Sequence, residues 1–80
     1  MINYFETREY VEQKIEDIKA CIKDRENQIE ELEERKESTR KPALRPRYDN
    51  DIFRLNDEIY MLNKELDEYE AKLNEFGRRR

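Results

Sequence analysis

Histidine is absent from these 80 residues, cysteine and glycine occur once each, and proline occurs twice. Without histidine the chain lacks the commonest metal-binding side chain and the commonest general base. The single cysteine, Cys21, excludes an internal disulfide and any multi-thiolate metal site, and it reads as an idle thiol beside a helix seam. One glycine cannot build a phosphate-cradling loop, and no serine has a plausible base to activate it. No apolar run approaches the roughly 20 residues of a membrane span. The opening MINYFETREY turns to charge after five residues, so no signal peptide is expected. These absences point to a cytoplasmic, non-enzymatic protein with no catalytic residue set, no metal and no cofactor.

Charge is what the chain has in excess. Charged residues make up 48% and apolar residues 35%, a balance that alone would suit disorder. The few apolar residues are not scattered, however. Tyr4, Val11, Ile15, Ile18, Ile22, Ile29 and Leu32 follow steps built from threes and fours, and Ile52, Leu55, Ile59, Leu62, Leu66, Tyr69, Leu73 and Phe76 do so without a gap. Such spacing lays a narrow apolar stripe along each of two helices. The expected fold is all-α, a two-helix antiparallel coiled-coil hairpin. A chain this short has little room for a thick core, so two hairpins are expected to dimerise into a four-helix assembly.

Boundaries follow from local chemistry. Helix one is expected over about residues 4–39, since Pro42 disfavours helical geometry at Lys41. A basic, proline-containing connector, stiff and partly extended, is expected over 40–48. Asp49, Asn50 and Asp51 are candidate N-caps for helix two, expected over 49–76, and Gly77 suits a left-handed C-terminal stop before the basic tail 77–80. At 1.5 Å per residue the helices would be on the order of 50 and 40 Å long. Charge sorts by segment: the balance is −6 over residues 1–34, +5 over 35–48, −6 over 49–76 and +3 in the tail, giving the net −4. Folded as a hairpin, this order makes an acidic rod with a basic loop at one end.

Two antiparallel registers keep the seams in contact, with partner numbers summing to 84 (Leu32 with Ile52, Ile18 with Leu66, Val11 with Leu73) or to 91 (Leu32 with Ile59, Ile18 with Leu73). The second gains flanking pairs Arg35–Glu58 and Lys19–Glu70. Exposed ion pairs contribute only a few tenths of a kcal/mol, whereas an uncovered apolar layer loses about 1.5–3 kcal/mol per large side chain. The first register is therefore expected. Both place Arg25 on the seam, where it would snorkel and fix register.

Several apolar side chains have no place in that seam. In the first register Phe76 lies opposite Arg8, so helix one would overhang by about two turns and leave Ile2, Tyr4 and Phe5 uncovered. Phe53 and Tyr60 stand one heptad apart off the seam of helix two, with Met61 beside them. Together they suggest a second contact surface. The leading functional expectation is a protein-binding module that adapts, masks or inhibits a partner protein and is itself a homodimer. The alternative is RNA binding through the loop bases Arg40, Lys41, Arg45 and Arg47 with the tail Arg78, Arg79 and Arg80, and with Tyr48 available for stacking. The acidic rod would repel a phosphate backbone laid along it, so only an end-on contact is compatible. No membrane contact is expected.

One segment carries a resemblance. Asn63-Lys64-Glu65-Leu66-Asp67 resembles the SQELD motif of small sporulation-regulator phosphatases, with Asn63 and Lys64 in place of Ser and Gln. Those proteins are two-helix hairpins that act on a phosphorylated aspartate of a response regulator, and the resemblance would make Asp67 the motif's acidic residue. The architecture is also similar to that of the plasmid Rop family, dimers of helical hairpins that bind RNA.

Overall fold

The computed structural model describes residues 7–78. Two long helices run antiparallel: α1 spans Arg8–Ser38, a 3-10 turn spans Pro42–Leu44, and α2 spans Arg45–Arg78. There is no strand among the described residues. The hairpin measures 61 × 20 × 18 Å, a rod about three times as long as it is wide.

Helix α1 starts later than its sequence suggests. Thr7 is extended, at φ −83° and ψ 167°, and its hydroxyl accepts a hydrogen bond from the Tyr10 backbone N–H, which would otherwise lack a partner in the first turn. The cap fixes the start at Arg8, so the expected beginning near residue 4 is corrected, and the residues of the expected overhang, 1–6, lie outside the described ones. Tyr4 itself, with Ile2 and Phe5, lies outside the described residues. At the far end the Ser38 hydroxyl donates to the Glu34 carbonyl at 2.8 Å, and Thr39 turns extended at φ −69° and ψ 136°.

The connector is tighter than expected. Lys41 is extended, as the following Pro42 requires, and its carbonyl accepts from Leu44 N–H at 3.0 Å. The chain then runs from the 3-10 turn directly into α2, with Arg45 at φ −57° and ψ −44°. The expected loop over 40–48 and helix start at 49 are thus corrected. Proline in the first turn of a helix removes an N–H that has no intrahelical acceptor there, so Pro46 is no barrier to an early start. Asp49 consequently lies inside the helix and, instead of capping it, pairs with Lys36 at 2.6 Å. At the other end α2 continues through Gly77 to Arg78, and no glycine among the described residues has positive φ. The expected left-handed stop after Phe76 does not occur.

Burial follows the seam. Every residue of the series Val11, Ile15, Ile18, Ile22, Arg25, Ile29, Leu32, Lys36 and Thr39 is buried or half-buried. On α2 the matching series is Tyr48, Ile52, Leu55, Ile59, Leu62, Leu66, Tyr69, Leu73 and Phe76. Val11, Ile15, Ile18 and Leu55 form the buried core, with Val11 at 0% exposure. Most other seam side chains stay half-buried because two helices cover a stripe from one side only.

Two cross-helix ion pairs report the register. Arg25 Nε donates to Glu58 Oε1 at 2.8 Å and Lys36 meets Asp49, pairs whose numbers sum to 83 and 85. They bracket the register centred on 84, the one that leaves no apolar layer uncovered. Glu58 therefore serves Arg25, and the Arg35–Glu58 pair of the competing register is not made among the described residues.

Candidate interaction surfaces

Helix α2 carries its apolar seam on one side and a second set of large side chains on the other. Phe53 is 75% exposed, Tyr60 61% and Met61 57%. Their spacing of seven and eight residues places them on the outward face of the same helix. Around them lie Arg54, Asp57, Lys64, Asp67 and Glu68, all exposed. Lys64 Nζ stands 5.7 Å from the Tyr60 ring centroid, and Arg54 makes a 3.6 Å ion pair with Asp51 one turn away. A shallow groove of about 460 Å³ runs from Met61 past Lys64, Glu65 and Glu68 to Tyr69 and Lys72. The sequence reading located Phe53, Tyr60 and Met61; Tyr10, 40% exposed on α1, was missed because it lies next to the seam position of Val11.

The loop bases form a second surface. Arg40, Lys41, Arg45 and Arg47 are all exposed at the hairpin tip, and none makes an ion pair among the described residues. The tip is internally ordered by the Leu44–Lys41 backbone bond and by Thr39 Oγ1, which accepts from Lys41 N–H at 3.2 Å. Leu44 and Tyr48 are half-buried beneath it, so Tyr48 is partly withdrawn from any stacking role. The first turn of α2 holds no acidic residue, and Arg45 and Arg47 add positive charge where the helix dipole is already positive. Arg79 and Arg80 lie outside the described residues, and they are not placed relative to this tip.

Among the described residues no group of three or more His, Cys, Asp or Glu side chains is arranged to hold a metal ion. Cys21 is exposed. In the segment Asn63–Asp67, Leu66 is half-buried in the seam while Asn63, Lys64, Glu65 and Asp67 are exposed. Arg25 bonds Glu58 across the hairpin and Asp24 beside it, with Gln28 donating to the same Asp24 oxygen. The hydrogen bond to Glu58 holds the Arg25 guanidinium above the ordinary arginine value, and the neighbouring negative charges act in the same direction. A raised cationic pKa contributes stability that is fully present below the ordinary arginine value and lost only as pH rises beyond it. The arginine is therefore not a pH switch near neutrality. No helix among the described residues is long and apolar enough to cross a membrane.

No protein-family model matches the chain, and neither does any curated protein or solved structure.

Proposed function

We propose that this chain is a non-enzymatic protein-binding module: a coiled-coil hairpin that dimerises through α2 and adapts, masks or inhibits a partner protein in the cytoplasm. The observation that carries the reading is the exposed row Phe53, Tyr60 and Met61 on the side of α2 away from its own seam. Aromatic and methionine side chains are enriched at protein interfaces, where they supply a large contact area. A straight two-helix scaffold holds them in fixed spacing, and the charged residues around them supply orientation and steering. The unbroken alternation of three- and four-residue steps along both buried stripes supports the coiled-coil part of the reading.

The test is capture from cell extract on immobilised wild-type protein and on the Phe53→Ser/Tyr60→Ser variant, each with and without nuclease. A protein partner retained by the wild type after nuclease is the expected result, and its loss by the variant shows that capture requires the dimer formed through this row. Complete loss of captured material on nuclease treatment contradicts it.

The four exposed cations of the tip favour a second reading, end-on binding of RNA phosphates. Changing Arg40, Lys41, Arg45 and Arg47 together to Gln should then abolish RNA retention without lowering the melting temperature. Retention that is equal in both proteins at low and high salt makes the tip a connector only.

A further inference from the structure

The occupant of the outward face of α2 can be specified from its charge order. We propose that it is the same face of a second copy, packed antiparallel about a two-fold axis that passes between Tyr60 and Met61. The inference rests on the dimer reading above and fixes its geometry. A two-fold contact pairs each residue with one on the other copy, and every pair occurs twice. With the axis at this point Tyr60 stands opposite Met61, Asp57 opposite Lys64 and Arg54 opposite Asp67, while Phe53 rests between Lys64, Glu68 and Ala71 of the second copy. Tyr60 and Met61 thus occupy the centre, and four ion pairs flank them.

Other packings of the same stripe are worse in identifiable ways. Parallel stacking sets Asp57 against Asp57, Lys64 against Lys64 and Arg54 against Arg54. Sliding the antiparallel copy one helical step brings Asp57 opposite Asp67 or Glu68 in one direction. In the other it brings Arg54 opposite Lys64, or leaves both ion pairs unmade. Like charges held together at an interface disfavour it strongly, so the charge order selects one register. The balance of −4 per chain sharpens the selection, because two acidic rods approach only where cations interleave. Residues 49–76 contain three bases, Arg54, Lys64 and Lys72, and two of them lie on this stripe. Asp57 and Asp67 make no ion pair within the hairpin among the described residues, so both are open to the second copy. Arg54 is already beside Asp51, at 3.6 Å on an exposed surface, and an exchange of partner there involves little loss.

Sedimentation equilibrium of the full chain tests the geometry through single charge reversals. Asp57→Lys alone, or Lys64→Asp alone, turns two ion pairs into two like-charge contacts and should raise the dimer dissociation constant on the order of tenfold or more. An equimolar mixture of the two variants restores both attractive pairs, so it should associate with wild-type strength, as should the chain carrying both changes. Circular dichroism melts verify that each variant keeps its hairpin. A wild-type dimer whose association is unchanged by either single reversal overturns this geometry while leaving the dimer intact. A wild type that stays monomeric overturns both.

Discussion

Thr7, Arg25 and Gly77 each depart from simple heptad logic, and each has a local physical reason. Thr7 starts α1 because its hydroxyl accepts the Tyr10 N–H. Arg25 occupies an apolar seam position because Glu58 reaches it from the facing helix at 2.8 Å. Leucine at this position would add apolar cover and lose only a partly hydrated ion pair, so Arg25→Leu should raise the melting temperature in circular dichroism; a fall would show the pair to be the stronger contribution. Gly77 is helical, and a Cβ added there would meet nothing within 4 Å. Gly77→Ala should therefore stabilise the hairpin by up to about 1 kcal/mol, read by urea denaturation, because alanine restricts the unfolded chain and favours helix. Burial separates the seam residues from one another. Leu55→Ala, at a buried position, should cost about 2–4 kcal/mol, and Leu62→Ala, at a half-buried one, measurably less. Equal costs would mean that the seam is covered more evenly than the isolated hairpin allows.

At the scale of the element, the helices themselves were legible and their ends were not. Periodicity identifies a stripe over many turns, so Val11 to Leu32 and Ile52 to Phe76 are visible without a structure. Ends depend on a few local contacts that compete at similar strength. Pro46 reads as a helix breaker and instead sits in the first turn of α2, while Asp49 reads as a cap and instead pairs with Lys36. Register was legible in magnitude, because covering apolar layers outweighs the exposed pairs Arg35–Glu58 and Lys19–Glu70. The outward face was visible as misplaced aromatics. Its charge order was not, since it acquires meaning only when a second helix is laid across it. The start of α2 also holds a cost. Arg45 and Arg47 oppose the dipole of the helix they begin, so changing both to Glu should stabilise the hairpin by about 0.3–1 kcal/mol per site in urea denaturation. The same change should abolish any retention of RNA at the tip. Stability gained as binding is lost would mark these arginines as residues held for contact rather than for folding.

At the scale of the whole molecule, the hairpin is a 61 Å rod with a seam on one side of α2 and a row of exposed aromatic and sulfur-bearing side chains on the other. A second hairpin laid across the outward face of α2 would cover Phe53, Tyr60 and Met61, which the single hairpin leaves exposed. The basic tips would then stand at opposite ends of an acidic body, each free for an anionic partner. The most direct measurement is sedimentation equilibrium at tens of micromolar on the wild type and on Phe53→Ser/Tyr60→Ser. A rod paired through α2 gives twice the chain mass for the wild type and a large shift toward the single-chain mass for the variant, with helicity unchanged. A wild type that sediments as a strict monomer, or a variant that dimerises as tightly as the wild type, contradicts it.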